Sequence, residues 1–190
     1  MIFYRVHIVK ELHSFKDDIG SCPINGFSLT EIQEKYVRDF GGELIDIETE
    51  DEITSSTGYF VFRNDLYFSN EFLRKCINRS ATLNKNIQFG VSENRFNERF
   101  ILPTKLDTDG QHLFDFKYIV DAEDSSYDIE IIEQEEFEHL TIMPSQIITG
   151  SNYYTNQCDT FASHITSPFH LLMVNLAENL SRTVAFQNKV

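Results

Sequence analysis

Tryptophan is absent from this 190-residue chain, and proline, glycine and cysteine are scarce, with 4, 8 and 3 copies. So little Pro and Gly excludes a collagen-like or low-complexity composition. The three cysteines, Cys22, Cys76 and Cys158, are odd in number and far apart. They spell out neither a disulfide framework nor a CxxC zinc site, and they read as reduced thiols of a cytoplasmic protein. Positive charge is also short: 16 Lys and Arg stand against 30 Asp and Glu, for a net charge of −14. Tracking a phosphate backbone takes clustered Lys and Arg, so no nucleic acid is expected as a partner, and no anionic membrane either. No apolar run is long enough to span a bilayer. The stretch Met1 to Val9 is broken by Arg5 and His7, unlike the apolar core of a signal peptide. A phosphorylated small molecule stays compatible with this balance, since one cation and a few backbone amides can hold it.

What is present is aromatic. Seventeen Phe and 8 Tyr predict a core built on Phe and Ile, and the length suffices for one core without staples. Met1–Lys10 reads as a first strand, and Glu11–Asn25 as a polar surface loop. Ser28-Leu29-Thr30-Glu31 has the S-x-x-E form of a capping box. It opens a helix over 28–41 that ends at Gly41-Gly42, where glycine tolerates the left-handed conformation. Glu43–Ile47 is then a strand, and this order implies parallel pairing through a right-handed crossover. Tyr59–Phe62 is a buried strand, followed by a helix over 69–81. Further strands are expected at Ile87–Val91 and Leu113–Val120, and at Tyr127–Ile132 on a sheet edge. Asn94–Arg99 reads as a polar turn region, and Phe100–Leu102 as β-like. Leu140–Ile142 and Gln146–Thr149 are short strands or irregular, and Ser151–Ser163 shows no period. Ser167-Pro168 starts a long helix over 167–187, with Phe169, Leu172, Met173, Leu176, Leu180 and Val184 on one apolar face. The expected organisation is an α/β domain over 1–150 and a C-terminal segment over 151–190, packed on that domain or on a partner.

The chemistry-bearing candidates are few. The strand Tyr59–Phe62 runs into Arg63-Asn64-Asp65, then Leu66-Tyr67-Phe68 and a Ser69-Asn70 helix cap. In open α/β sheets ligands sit beyond the carboxyl ends of strands. Asp65 is therefore either a ligand for a divalent cation or a sugar hydroxyl, or a carboxylate closing a turn on backbone amides. Arg63 and Lys105 are the cations nearest the strand ends and could hold a phosphate. Asp107-Thr108-Asp109-Gly110 starts like a calcium loop but has Tyr118 at the twelfth position, so it reads as a hairpin turn. Among the six histidines no pair has the i,i+4 spacing of a helical metal site, and His164 and His170, six apart, straddle the start of the last helix. Cys22 has no neighbouring cation to favour its thiolate. The acids of 121–138 are a solvated face or a site for a cation or basic partner.

Two segments resemble the sugar-phosphate nucleotidyltransferases. Pro23-Ile24-Asn25-Gly26-Phe27-Ser28-Leu29-Thr30-Glu31 is similar to that family's Pro-x-x-Gly-x-x-Leu-x-Glu loop before a helix. Phe60–Phe68 is similar to its strand ending in an acidic residue at the metal and phosphate site. The stretch from Met143-Pro144 to the last helix, with Leu171-Leu172-Met173-Val174-Asn175-Leu176, resembles the join to a left-handed β-helix in two-domain members. The resemblance implies a Rossmann-like, mostly parallel or mixed sheet, with Mg²⁺ on Asp65 and a sugar phosphate or nucleotide near Gly26, Arg63 and Lys105. The implied reaction is in-line attack of a sugar phosphate on a nucleotide α-phosphate. The sequence departs from that family at a decisive point: Gly20 is the sole glycine of residues 1–22, and no G-x-G-T-R loop is present. A reduced, inactive or repurposed relative is implied. The alternative is a non-catalytic interaction module that forms a homo-oligomer through the C-terminal helix.

Overall fold

The computed structural model describes residues 1–8, 18–55, 58–101, 110–141 and 153–187. Its centre is a mixed six-stranded sheet. The strands in chain order are β1 (Ile2–Val6), β2 (Pro23–Ile24), β3 (Phe27–Ser28), β4 (Glu43–Ile47), β5 (Tyr59–Arg63), β6 (Leu66–Phe68), β7 (Ile87–Ser92), β8 (Gln111–Ile119) and β9 (Asp128–Ile131). After them come β10 (Phe137–Thr141), β11 (Tyr153–Gln157) and β12 (Ala162–His164). The helices are α1 (Leu29–Asp39), α2 (Asn70–Leu83), α3 (Arg95–Phe100) and α4 (Pro168–Gln187). The central order is β4-β1-β5-β8-β7-β9. β1 runs parallel to β4 and β5, β8 is antiparallel to β5 and β7, and β9 is parallel to β7. The sheet is thus the mixed form of the expected α/β architecture.

Alternation along β1 and β5 sorts the core into two faces. Phe3, Phe60 and Phe62 join Phe89 and Phe116 on the side of α1 and α2, with Leu29, Ile32, Val37, Phe72 and Leu73. Phe60 is one hub beside Phe116, its ring lying 4.7 Å from Phe3, 5.7 Å from Phe116 and 4.8 Å from Tyr118. The other face carries a smaller cluster of Tyr4, Ile47, Tyr59, Val61 and Ile119, flanked by Ile53 and Tyr127. One face is packed by helices, while the other is closed only by connecting segments among the described residues.

The capping box of α1 forms as read: Ser28 Oγ accepts the Glu31 amide at 3.1 Å and Glu31 accepts the Ser28 amide at 2.7 Å. The loop expected before it is more structured than its polarity suggests. Pro23–Ile24 and Phe27–Ser28 pair as a hairpin, turned by Asn25 (φ 50°) and Gly26 (φ 87°). Two consecutive positive φ angles are the mark of the type I′ turn, which Asn-Gly favours.

Arg5 on β1 is buried beneath α1. It donates to both Asp46 oxygens, at 2.6 and 2.9 Å, and to Gln33 Oε1 at 3.1 Å. Gln33 passes this anchorage on, donating to the carbonyls of Asn64 and Leu66 at 3.2 and 2.8 Å. The C-terminal segment packs on the same core: β12 pairs antiparallel with β6, and Val174 and Ala177 of α4 join the main cluster.

Two expectations need correction. The polar turn of 94–99 and the β-like start of 100–102 are largely helix: Asn94 Oδ1 caps the Asn97 amide at 2.7 Å, and Phe96 and Phe100 bury one turn apart. Asn97 is a polar residue on the buried side, donating to the Ser92 carbonyl and Gln134 Oε1 at 2.6 Å each, which hides the period. The aperiodic stretch 151–163 contains β11 and part of β12, whose pairing is long-range and leaves little local trace. The segments around Gln146–Thr149, Asp107 and Asp109 lie outside the described residues.

Removing the Phe60 ring tests this core. Phe60→Ala should lower stability by about 3–5 kcal/mol, through lost burial and an uncollapsed cavity, read as a lower urea midpoint at unchanged slope.

Candidate functional site

The carboxyl ends of β1 and β5 are joined by Asn64. Its amide donates to the Val6 carbonyl at 3.0 Å, and its Oδ1 accepts the Ile8 amide at 3.1 Å. The chain then turns into β6 and buries Asp65, which is 0% exposed. Both carboxylate oxygens are engaged. Arg63 Nη2 donates to Oδ2 at 2.8 Å, and His164 Nδ1 lies 2.9 Å from Oδ1.

The tautomer of His164 follows from its other nitrogen. The Asp115 backbone amide donates to Nε2 at 3.2 Å, so Nε2 carries the lone pair, and Nδ1–H donates to Asp65. Arg63 closes the ring by donating through Nη1 to Asp115 Oδ2 at 2.7 Å. Arg63, Asp65, Asp115 and His164 thereby tie together β5, β8 and β12. His164 could not be found from sequence, because it stands 99 residues from its partner and no helical spacing links them. The weighed pair of His164 and His170 does not form: His170 is buried elsewhere, its Nδ1 accepting the Thr166 amide at 3.2 Å.

A cleft of about 120 Å³ opens beside this ring, lined by Val6, Glu50, Val61, Arg63, Asp115 and Lys117. It lies on the thinly covered sheet face. Lys117 is poised there, 3.7 Å from Glu50 and 5.0 Å from the Tyr127 ring centre. Arg63 Nε is buried without a hydrogen-bond partner among the described residues. A second cleft of about 280 Å³ runs along α2, with Arg74, Lys75 and Arg79 beside Glu133. Its cations are already engaged, by Glu71 at 2.8 Å, by the Glu133 carbonyl at 2.8 Å and by Glu130 at 3.0 Å.

The structure therefore brings Arg63 and Asp65 together but places Gly26 apart from them. Gly26 serves the hairpin turn, which is fastened to α4 by Asn175 accepting the Asn25 amide at 3.0 Å. Lys105 lies outside the described residues. No group of three or more His, Cys, Asp or Glu side chains suited to a metal occurs among the described residues. Nucleophilic thiols are also disfavoured: burial pushes Cys158 up to about 12 and Cys76 well above its usual value, and Cys22 is buried.

No family description matches this chain, and no curated protein matches it. Solved structures similar to it include HddC from Yersinia pseudotuberculosis, at 12% identity, covering 92% of this chain and 97% of that one, with a TM-score of 0.49. The same protein complexed with GMP-PN gives 11% identity, 92% and 97% coverage and a TM-score of 0.48. The inositol-1-phosphate CTP transferase from T. maritima gives 8% identity, 91% and 94% coverage and a TM-score of 0.44. Likeness of this size at such low identity assigns no activity to this chain. No described helix is long and apolar enough to cross a membrane.

Two variants test the electrostatics. Asp65→Ala leaves a buried guanidinium contact and an imidazole without their acceptor, and should cost about 3 kcal/mol of stability, measured by chemical denaturation. At Asp46, burial raises the carboxyl, but hydrogen bonds and charge from Arg5 and His7 outweigh it and hold the group below its usual value. A depressed folded-state value means that this contribution is present above the unfolded value, about pH 4, and is lost as pH falls through the folded one. Acid unfolding of Asp46→Asn should therefore show a flatter stability profile below about pH 4 than the wild type.

Proposed function

We propose that this chain is a nucleotidyltransferase-like domain that binds a phosphorylated small molecule, a sugar phosphate or nucleotide, without metal-dependent turnover. The cleft at the ends of β1 and β5 is its site. The observation that carries this reading is the placement of Arg63: its guanidinium fills the space beside Asp65 and also lines the cleft, with a buried Nε–H that lacks a partner among the described residues. Unpaired buried donors are costly and are satisfied by an acceptor when one is at hand. Phosphate oxygens are such acceptors, and guanidinium matches their geometry. Lys117 adds a second cation. Its partner Glu50 and the Asp115 that meets Arg63 are both about half exposed, so water can replace their contacts when an anion arrives.

Mg²⁺ at Asp65, which the resemblance implies, does not fit these residues. Mg²⁺ demands near-octahedral oxygen ligands and keeps several waters. Asp65 is dry, both its oxygens are taken, and one of its donors is itself a cation. The missing glycine-rich loop removes the other means of stabilising charge on a triphosphate. This chain's residues thus bind and orient a phosphate rather than promote displacement at it. The alternative reading, an interaction and oligomerisation module, draws support from the exposed side of α4, and the two are compatible.

Thermal unfolding with nucleoside triphosphates, sugar phosphates and sugar nucleotides tests the site. A ligand that binds only the folded state raises the midpoint by mass action, by about 2.7 kcal/mol at a hundredfold excess over Kd. The shift should be equal in EDTA and in Mg²⁺, and Lys117→Ala should abolish it without lowering the ligand-free midpoint appreciably. A shift that requires Mg²⁺ would restore the metal reading. No shift at millimolar ligand would remove the phosphate site.

A further inference from the structure

The cleft beside Arg63 is small and contains two ion pairs. Val61 stands opposite Lys117 in the antiparallel register of β5 and β8. Alternation sets Arg63 and Asp115, each two residues away along its own strand, on the same face. Lys117 with Glu50 thus forms one level of the cleft, at 3.7 Å, and Arg63 with Asp115 forms the next, at 2.7 Å. Two residues of extended strand separate the levels by about 6.8 Å. Two cations face two carboxylates, so the lining has no net formal charge. Its volume of about 120 Å³ is that of roughly four waters, at about 30 Å³ each. Pockets that enclose a drug-sized ligand run from roughly 300 Å³ upward, so this cleft admits a charged head group and not a whole nucleoside.

We propose that the ligand is a small phosphomonoester that also carries a primary ammonium group. This rests on the phosphate reading of the cleft and narrows it. Arg63 spends Nη1 on Asp115 and Nη2 on Asp65, and its Nε–H lacks a partner among the described residues. A phosphate oxygen that takes Nε–H leaves Asp115 in place, so phosphate and carboxylate share one guanidinium. A phosphomonoester carries about −1.5 to −2 charges near pH 7. Lys117 meets only part of that charge, because Glu50 lies beside it, and the chain around the cleft has a net charge of −14. Like charges at this separation repel. An ammonium on the same molecule removes one unit of the excess and brings three N–H donors. Glu50 and Asp115, both about half exposed, are the acceptors within the cleft that can turn to it. Each ion pair is then exchanged for another instead of being broken. A hydroxyl in the same place supplies a donor without charge, and a quaternary ammonium supplies charge without a donor.

Titration calorimetry on the full chain with phosphoethanolamine, phosphocholine and glycerol phosphate separates these cases. Phosphoethanolamine should bind at least fivefold more tightly than either of the others. Glu50→Gln keeps the size of the side chain and removes its charge, in an exposed turn over Glu50–Glu52 where the fold does not depend on it. It should cut the preference for phosphoethanolamine to less than twofold, while glycerol phosphate binds as well as before or better. Asp115→Asn, whose amide oxygen still accepts from Arg63, should act in the same direction. Equal affinities for phosphoethanolamine and glycerol phosphate overturn the inference and leave the phosphate site standing. A preference that survives Glu50→Gln and Asp115→Asn overturns it as well. Binding of none of the three at millimolar concentration removes the phosphate site and this inference together.

Discussion

The carboxylate of Asp65 is the constraint on which the end of the sheet depends. An ion taken from water costs several kcal/mol, and its pairing must offset that cost with good geometry and with the remaining lone pairs satisfied. Arg63 and His164 meet this demand at 2.8 and 2.9 Å. Because they come from β5 and β12, satisfying one charge fixes the path of the chain nearly one hundred residues later. The Asp115 amide then sets the tautomer of His164, and Arg63 returns to the Asp115 side chain. Three residues on three strands and one in the turn after β5 are determined together, and none of their positions is independent of the others.

That ring also divides what the sheet can do. On one face the phenylalanine layer is sealed by α1 and α2, and the buried Arg5 brings its charge there only because Asp46 and Gln33 receive it. On the other face the strands present Tyr4, Tyr59, Val61 and Ile119 beneath connecting segments. A binding cleft needs accessible polar groups above an apolar floor. Only the second face provides both, because Arg63 and Lys117 alternate outward from strands whose other side is core. The location of the cleft is thus a consequence of strand periodicity together with uneven coverage of the two faces.

Local chemistry was legible in the sequence and distant chemistry was not. The Ser28–Glu31 box, the Ser69 cap of α2 and the Ser167-Pro168 start of α4 put three helices close to their observed bounds, because each signal acts within four residues. Asn25-Gly26 is an equally local hairpin signal, and the pair turns β2 into β3. The reading of Asp65 offered two roles, metal or hydroxyl ligand against turn closure by backbone amides. Arg63 and His164 are among its partners in the structure, both of them through their side chains. Arg63 was within sight, two residues away, but the direction of its guanidinium depends on Asp115, and hence on the antiparallel register of β5 and β8. The strands β11 and β12 leave little local signal because their own residues alternate weakly and, for β12, the antiparallel partner is the distant β6.

The exposure of the α4 stripe is itself specified. An amphipathic helix could rotate to bury Phe169, Leu172 and Leu176 against the core, and burial of each such side chain is worth roughly 1.5–3 kcal/mol. Polar bonds on the inner side oppose that rotation. Tyr67 Oη donates to Glu178 at 2.7 Å, and Arg182 pairs with Glu178 at 3.0 Å. Burial and the nearby Glu178 charge push the Tyr67 hydroxyl well above its usual value, so it remains a donor. Ser181 donates to the Cys158 carbonyl at 3.0 Å, and Asn175 holds the hairpin. A rotated helix would leave Tyr67 without an acceptor in the core and carry Glu178 outward, and stranding buried polar groups in this way costs more per group than an ordinary hydrogen bond contributes. Directional polar contacts therefore set the helix angle, and the non-directional apolar surface left over faces outward as a continuous seam. A helix fixed in this way holds Phe169, Leu172 and Leu176 in one exposed geometry.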